Sequence, residues 1–264
     1  MTSQTEIIRF LEQFAPLHLA EDWDNVGLLI GRQNKSVKRI LTCLTVTPDS
    51  VTEAIQQKCD LIVSHHPIPF RPLKKLTDRD TVGQMVLSLI EGSISVFSPH
   101  TAFDSAKLGI NQQWAEGLQL QTIRPLVPQV PGEENGNGAG RMGELRQPVM
   151  LSELVRSTKS LLSIKNLQIV GDQSKMVKKI AIACGAAGSF LENVKQHSCD
   201  VFILGETNFH TCLEAQAQGI QLILPGHFAS ERFAVEHLAS ILANEFGDVD
   251  VWPSVKEHDP LTWV

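Results

Sequence analysis

Two histidines stand side by side in the sequence Ser-His-His-Pro at residues 64–67, directly after the apolar run DLIV. Two imidazoles at the end of a buried strand are costly to desolvate unless they have partners. Imidazole nitrogen is a common ligand of divalent metal ions, so the pair indicates a metal site. If the strand continues through them, His65 and His66 point to opposite faces and serve two ions; if the chain turns at Pro67, both enter one cavity.

A histidine is followed by a carboxylate four residues later at two further places. His100 and Asp104 follow the apolar stretch ISVFSP, and His227 and Glu231 follow the stretch IQLILPG. This spacing predicts that each pair lies on one side of the first turn of a helix. Imidazole combined with carboxylate oxygen suits borderline divalent ions such as Zn²⁺, Fe²⁺ or Mn²⁺. Of the two acids, Glu231 is the better candidate for a carboxylate that bridges two ions.

The elements that must position these residues come from an internal repeat. Residues 37–63 align without a gap on residues 177–203, and each copy has the pattern strand, small-residue turn, helix, Cys-Asp and strand. In both copies a further apolar stretch follows and ends in the histidine of a His-x-x-x-acid pair. The identical pairs in the alignment are Val37 and Val177, Lys38 and Lys178, Ile40 and Ile180, Gln56 and Gln196, Cys59 and Cys199, and Asp60 and Asp200.

Strands that alternate with helices predict an α/β fold with a mostly parallel sheet, in which sites gather at the carboxyl ends of strands. We predict duplicated αβ halves that form a pseudo-symmetric metal-binding core, with an inserted segment between them. The predicted divisions are a first half over residues 1–123, an insert over 124–176 and a second half over 177–264.

The insert contains residues 128–145, which are rich in Gly, Pro and Asn without an apolar period, and we predict a long loop there. After it, SELVRSTKSLLSI predicts an amphipathic helix and NLQIVGD a strand. Arg141 either reaches a phosphate from this loop or belongs to a flexible linker, and the composition favours the linker.

Both ends of the chain carry recognisable local signals. Ser3 and Glu6 match a capping box at the start of a helix that Pro16 ends. Residues 21–31 predict a loop that enters a short apolar strand. The carboxyl-terminal sequence VDVWPSVKEHDPLTWV predicts one strand followed by an irregular end.

Composition excludes several classes of protein. A net charge of −6 and a pI of about 5.8 give no general attraction to nucleic acid or anionic membranes, so we expect neither as a partner. The first residues lack the basic start and apolar core of a signal peptide, so we expect none there. The sequence also has no apolar run of about 18 residues, so no transmembrane helix is expected, and it has no Walker A motif. The 5 cysteines contain no CxxC pair. Four of them lie in or beside apolar runs and are predicted to be buried free thiols of a cytoplasmic protein, namely Cys43, Cys59, Cys184 and Cys199.

Metal-assisted hydrolysis also needs a group that transfers protons. Glu206 follows the apolar run DVFIL at the position that corresponds to His66 in the repeat, and it is a candidate for this role. His100 and His210 are further candidates, and for each the alternative is that it orients metal ligands. The histidines interpreted as ordinary surface or core residues are His18, His197, His237 and His258.

Several motifs resemble the hallmarks of the NGG-interacting-factor-like family, whose members are described as dinuclear-metal-centre hexameric proteins. They are DNVGLLIG at 24–31, SHHPIPFRPLK at 64–74, HTAFD at 100–104, GHFASE at 226–231 and the glycine-rich GAGRMGEL at 138–145. The motifs occur in the family's order. The segment around Ala102 departs mildly from the family, which usually has Asn or a small residue nearby.

The resemblance implies a metal centre, an assembly and an activity. It implies a toroidal homohexamer that holds two divalent metal ions per subunit. Members are often labelled as type 2 GTP cyclohydrolase homologues, which implies a metal-dependent hydrolase acting on a nucleotide such as GTP or on a cyclic amide. The alternative is a non-enzymatic metal-containing ring that acts as a chaperone, metal store or regulatory partner. The residues that match the family's metal ligands are His65, His66, Asp104, His227 and Glu231, with His100 close to the same centre.

Overall fold

The computed structural model describes residues 1–132 and 136–263, and residues 133–135 of the predicted loop lie outside that range. The helices in the described part are α1 (Gln4–Phe14), α2 (Pro48–Gln56), α3 (Thr81–Glu91), α4 (His100–Ser105), α5 (Ile110–Gly117), α6 (Leu151–Leu162), α7 (Leu191–Gln196), α8 (Phe209–Ala217) and α9 (His227–Glu245). The strands are β1 (Gly27–Ile30), β2 (Arg39–Cys43), β3 (Leu61–Ser64), β4 (Ser95–Ser98), β5 (Gln121–Arg124), β6 (Val127–Pro128), β7 (Gly138–Ala139), β8 (Arg141–Met150), β9 (Gln168–Val170), β10 (Met176–Ala183), β11 (Val201–Leu204), β12 (Gln221–Leu224) and β13 (Asp250–Pro253).

The chain forms two compact units, each with its own sheet. The first unit contains Met1–Phe103 and Ala234–Pro260, and its sheet has the order β1-β4-β3-β2-β13. The second contains Asp104–Phe233 and the segment that begins at Leu261, and its larger sheet has the order β5-β8-β10-β11-β12-β9. Helices and sheets in both units confirm the predicted α/β class.

The repeat recurs in the register of the central strands. In the first unit β2 and β3 are parallel and pair Ile40 with Leu61, whereas in the second unit β10 and β11 are parallel and pair Ile180 with Val201. These pairs occupy equivalent positions of the aligned repeat, so the two copies share the pairing as well as the residue pattern.

The recurring aspartate has the same structural task in both copies. Asp60 Oδ2 accepts hydrogen bonds from the backbone N–H groups of Lys38 and Arg39, at 2.8 and 3.1 Å. In the second copy, Asp200 Oδ2 accepts hydrogen bonds from the backbone N–H groups of Lys178 and Lys179, at 2.8 and 2.9 Å. Each carboxylate satisfies two backbone N–H groups at the edge of the paired strands, which gives a physical reason for Asp at both places.

The repeated element order extends further upstream than the aligned residues. The edge strand β1 pairs antiparallel with β4, and β9 pairs antiparallel with β12, so β1-β4-β3-β2 matches β9-β12-β11-β10. Helix α1 precedes β1, and α6 precedes β9. The predicted insert 124–176 therefore contains the counterparts of the first helix and strand, while its role as a separate segment stays a prediction.

Most local predictions are confirmed. Helix α1 starts with the full capping box, in which Ser3 and Glu6 bond each other's backbone. The predicted amphipathic helix after the glycine-rich region is α6, and the predicted strand after it is β9. Strand β13 is the one predicted near the carboxyl terminus, and it pairs in parallel with β2.

The prediction of a loop over residues 128–145 is wrong at its carboxyl-terminal end. Strand β8 begins at Arg141 and pairs antiparallel with both β10 and β5. Backbone hydrogen bonds on both sides form this strand without any apolar period in its sequence. Gly140 has a φ of +61° just before it, a conformation that glycine adopts without the steric cost of a Cβ.

Arg141 is 1 % exposed and lies inside the second unit, so the alternative in which it reaches a phosphate is wrong. Its guanidinium donates to the carbonyl oxygens of Gly138, Gly140 and Ala106 at 2.7–2.8 Å and to Gln112 Oε1 at 2.9 Å. Burial lowers the pKa of Arg141 to about 10. The side chain fastens the glycine-rich turn to the end of α4 and to α5.

Apolar side chains of the sheets and helices form a core in each unit. In the first, Leu41, Ile62 and Val96 are buried on neighbouring strands. In the second, Phe202 on β11 and Leu222 on β12 are buried and lie opposite each other in the paired strands. Across the residues that the structure describes, none of the helices combines the length and apolar character required to cross a bilayer.

Candidate metal centre

Three imidazoles gather in the first unit. Strand β3 ends at Ser64, so His65 and His66 follow it on a turn and their ring centroids lie only 5.0 Å apart. The centroid of His100 lies 5.2 Å from His65 and 5.4 Å from His66. Each of the three offers a ring nitrogen, and these atoms lie within 4.8 Å of one another. The geometry favours the alternative in which the turn brings both neighbouring histidines into one cavity.

The backbone of the histidine pair is fixed by the neighbouring strand ends. The N–H groups of His65 and His66 donate to the carbonyl oxygens of Cys43 and Leu44 at 3.0 and 2.8 Å. Ser98 Oγ, at the end of β4, donates to the carbonyl oxygen of His65 at 2.6 Å. Carboxyl ends of parallel strands meet at one edge of a sheet, and the imidazoles sit at that edge.

Asp24 orients the imidazole of His100. Its Oδ1 lies 2.7 Å from His100 Nδ1, and its Oδ2 accepts from Thr101 N and Oγ1 at 3.1 and 2.5 Å. The carboxylate is 1 % exposed. Burial alone would raise the pKa of Asp24, but the hydrogen bonds from His100 and Thr101 outweigh it and lower the pKa to about 2. A carboxylate on one ring nitrogen leaves the other nitrogen as the natural metal donor.

Asp24→Asn is expected to remove a pH-dependent part of the stability of the metal-free protein. The pKa of Asp24 falls from 3.8 to about 2 on folding, so the ionised carboxylate stabilises the fold above pH 4 and this contribution is lost as the pH falls toward 2. The shift corresponds to about 2 kcal/mol in the free energy of unfolding. Urea unfolding of wild type and variant, after chelation of metals, should show a difference that shrinks between pH 5 and pH 3; a difference that stays constant would contradict this origin.

The ring of His66 is oriented by a second network in the first unit. Thr45 Oγ1 lies 2.7 Å from His66 Nδ1. The backbone N–H groups of Leu44 and Thr45 donate to the two carboxylate oxygens of Glu257 at 2.8 and 2.5 Å. Glu53 in turn accepts hydrogen bonds from the segment that leads to Glu257, including Val255 N and Lys256 N at 3.1 Å. The carboxyl-terminal segment therefore holds the turn that carries Thr45.

Thr45→Val is expected to lower the affinity for Zn²⁺ by about 10- to 100-fold, because the hydroxyl that orients His66 is lost while the side-chain shape is kept. Thr45→Ser keeps the hydroxyl and should stay within about threefold of wild type on the same argument. Competition with a chromogenic chelator measures both affinities. Equal affinities for the two variants would show that the hydroxyl does not orient the ring.

In the second unit, His227 lies between two carboxylates, one on each ring nitrogen. His227 is the first residue of α9, and its Nε2 lies 3.1 Å from Glu231 Oε2 one turn later. Its Nδ1 lies 3.0 Å from Glu206 Oε1. The hydrogen bond to Glu231, followed by that to Glu206, raises the pKa of His227 to about 9 against the effect of burial. A metal on this imidazole requires its neutral form, so binding releases a proton.

Asp104 lies in the same unit beside a buried thiol. Cys184 Sγ donates to Asp104 Oδ1 at 3.1 Å, and Asn111 bonds both the N–H of Cys184, at 2.8 Å, and the carbonyl oxygen of Asp104, at 3.1 Å. Burial raises the pKa of Cys184 well above its usual range, and the charges of Asp104 and Glu231 raise it further. Both carboxylates therefore lie near this thiol, which stays protonated as a donor.

The donor sets fit divalent metal ions. The first unit presents three imidazoles, and the second places the imidazole of His227 against the carboxylate of Glu231. A buried carboxylate is costly without a cation, and Glu231 is only 3 % exposed. Imidazole and carboxylate together suit Zn²⁺, Fe²⁺ or Mn²⁺. The described residues thus include a possible metal-binding cluster of His65, His66 and His100, and His227 and Glu231 belong to a second possible metal-binding group.

The candidate proton-transfer residues have different surroundings. Glu206 is exposed and bonds His227, so its position also suits the alternative role of orienting that ring. His210 is exposed and its ring lies 5.9 Å from the ring of Phe209. Sequence reasoning did not single out Asp24, Thr45 or Cys184. Asp24 opens the motif DNVGLLIG, which was the one available signal.

Comparisons with known proteins agree on one family. The family model described as Duf34/NIF3 (NGG1p interacting factor 3) matches residues 2–260. A relative from Clostridium perfringens, named GTP cyclohydrolase 1 type 2 homolog, is 34% identical over 260 residues, 98% of each protein. NIF3-like protein 1 of Drosophila melanogaster is 33% identical and covers 98% of this chain and 88% of its own. The crystal structure of Staphylococcus aureus protein SA1388 matches with a TM-score of 0.89 at 26% identity, over 100% of this chain and 99% of that one.

Proposed function

We propose that this chain, which belongs to the Duf34/NIF3 family, binds two divalent metal ions and is a metal-dependent hydrolase acting on a nucleotide or a cyclic amide. The observation that carries this proposal is the gathering of three imidazoles whose ring nitrogens lie within 4.8 Å of one another. The second observation is the pairing of His227 with the buried Glu231.

In this proposal the two clusters contribute to one dinuclear centre. The proposed ligands are His65, His66, Asp104, His227 and Glu231. Helix α4 supports a joint centre, because its residues His100 and Asp104 are four apart and residues at that spacing lie on one face of a helix. The repeat supports it as well, since each copy delivers an equivalent His-x-x-x-acid pair at the start of a helix.

The chain's own residues prepare this centre for hydrolysis. Thr45 bonds the Nδ1 atom of the proposed ligand His66, which sets the ring orientation and leaves Nε2 for an ion, and Asp24 holds the ring of His100 close to the centre. Divalent ions bound there supply Lewis-acid activation of water and of a substrate carbonyl. Glu206 is the proposed proton acceptor, because its exposed carboxylate is accessible to substrate and is held by His227.

The substrate class rests on the names of relatives. The Clostridium perfringens protein and a Streptomyces coelicolor protein, 34% and 30% identical to this chain, are both named GTP cyclohydrolase 1 type 2 homologs. Opening a purine ring requires attack of activated water on a ring carbon, and a centre with two activating ions suits such a step.

The test is turnover by the metal-loaded full-length chain with a panel of nucleotides and cyclic amides, analysed by liquid chromatography. Wild type should release a ring-opened product, Glu206→Gln should be slowed by about 100-fold or more, and Glu231→Ala should be inactive. Activity that survives in Glu231→Ala would contradict the hydrolase proposal. Full metal content without turnover on any substrate would favour the non-enzymatic ring.

We also propose a homohexamer in a reducing compartment such as the cytoplasm. The hexamer follows from the family resemblance, and the buried thiols of Cys59, Cys184 and Cys199 support the compartment. Sedimentation velocity at micromolar concentration tests the assembly. A stable monomer would contradict it.

A further inference from the structure

Two exposed aromatic side chains lie beside the imidazole cluster of the first unit. Trp23 is 64% exposed and Phe70 is 54% exposed. Their ring centroids lie 6.1 Å apart at an interplanar angle of 49°. Each centroid also lies 6.0 Å from that of His100, with the rings nearly perpendicular. Large aromatic rings usually bury most of their surface, so this exposed pair at a metal cluster needs a reason.

The loops that carry the pair are fastened to each other and to the cluster. Asn25 Nδ2 donates to the carbonyl oxygen of Pro69 at 3.1 Å. This hydrogen bond joins the loop that carries Trp23 to the loop that carries Phe70. Asp24, next to Trp23, bonds His100. The rings are therefore presented from a braced backbone, which lowers the entropic cost of binding a ligand to them.

We propose that Trp23 and Phe70 form a stacking platform for the planar base of a nucleotide, holding it beside His100. The inference rests on the proposed function, since it assigns the ligand-binding residues of that same centre. Aromatic side chains stack on the flat faces of nucleotide bases, whichever base is present. The ring centroids are 6.1 Å apart, less than the separation of about 7 Å that a sandwich of two contacts of about 3.5 Å needs, and the rings are inclined by 49°. A base therefore stacks on the face of one ring and contacts the other ring at its edge.

The charge next to the platform indicates a phosphorylated ligand. Phe70 is followed by the sequence RPLKK, in which Arg71, Lys74 and Lys75 are all exposed. The exposed acids Glu21 and Asp22 precede Trp23, so the positive charge lies on the Phe70 side of the platform. The chain as a whole carries a net charge of −6, so this basic stretch is a local departure. Arg and Lys are the side chains that bind phosphate groups. A flat ring beside a basic segment matches a nucleotide better than an uncharged heterocycle.

Isothermal titration of the metal-loaded full-length chain with guanosine monophosphate, guanosine and ribose 5-phosphate tests the inference. Trp23→Ala and Phe70→Ala should each weaken guanosine monophosphate binding by about 5- to 150-fold, whereas Trp23→Phe should change it by less than about threefold. Arg71→Ala should weaken binding of the monophosphate without affecting guanosine. The matched control is Phe209→Ala, which removes an aromatic ring that is 71% exposed in the other unit and should have no effect.

Four results would overturn the platform. Binding of ribose 5-phosphate by wild type as tightly as the nucleotide would remove the role of the rings. The absence of nucleotide binding at millimolar concentration would do the same. Unchanged affinity in both alanine variants does the same. Dissociation of an oligomer by Trp23→Ala would show that the pair is buried between copies of this chain.

Metal content and unfolding temperature are measured for each variant, so that a folding defect in Trp23→Ala leaves Phe70→Ala as the test. The inference and the proposed function fail separately. Trp23-dependent nucleotide binding without any turnover contradicts hydrolysis and leaves the platform standing. Turnover of a nucleotide that is insensitive to both rings contradicts the platform and leaves hydrolysis standing.

Discussion

Replacing Glu231 with alanine is expected to lower the affinity of the chain for Zn²⁺ by at least about 100-fold, since residues that merely orient ligands are already worth about 10- to 100-fold. The carboxylate is 3 % exposed and lies 3.1 Å from His227 Nε2. Its loss removes a proposed ligand and the charge that offsets a cation there. Competition with a chelator and the metal content after dialysis measure the effect.

Two controls separate metal binding from folding. Glu236→Ala makes the same change at an exposed position of α9 and should leave the affinity unchanged. Glu231→Gln keeps the shape of the side chain but removes its negative charge. That charge and the charge of Asp104 both lie close to the buried thiol of Cys184. Near neutral pH the metal-free Glu231→Gln protein loses the ion pair with protonated His227 and should unfold at a lower temperature than wild type, and the stabilisation that Zn²⁺ adds to it should be far smaller. Equal stabilisation of both proteins by Zn²⁺ would contradict a ligand role.

Gly185→Ala is expected to disturb metal binding through sterics alone. A Cβ at this position would lie 2.4 Å from Glu231 Oε1, so the carboxylate must move. The φ of Gly185 is +65°, and alanine in this region costs about 1–2 kcal/mol in the free energy of unfolding. Because the end of a long side chain can swing away, the clash should add little to that cost. The affinity for Zn²⁺ should nevertheless fall by more than about 10-fold.

Gly219→Ala is the matched control for this substitution. Gly219 has a φ of +75° in the same unit, and a Cβ there would meet nothing within 4 Å. Both variants should lose a similar free energy of unfolding, measured by urea titration of the metal-free proteins, and only Gly185→Ala should lose metal affinity. A similar loss of affinity in both would mean that general destabilisation causes the effect.

Local patterns in the sequence were sufficient for much of the fold. The His-x-x-x-acid pairs at His100 and His227 predicted two helix starts, and α4 and α9 begin at those residues. The repeat predicted equivalent strands, and the shared register of β2–β3 and β10–β11 confirms that equivalence. The periodicity and spacing of residues predict these helix starts and strands because such elements depend on residues that are close in sequence.

Features that depend on distant residues were not predictable in the same way. Strand β8 has no apolar period, since its hydrogen bonds to β5 and β10 are made by backbone. Asp24 and His100 are 76 residues apart, and Cys184 and Asp104 are 80 apart, so spacing gives no sign of either contact. The orienting groups of the candidate site therefore became apparent only with the three-dimensional structure.

The proposal of one dinuclear centre is tested most directly by anomalous diffraction from crystals grown with Zn²⁺. The account predicts two anomalous peaks per chain, with ligands drawn from both clusters at the usual distances of about 2.0–2.2 Å. His65 or His66 should share a centre with His227 or Glu231. Fewer than one peak per chain, or peaks bound by the residues of one cluster alone, would contradict it.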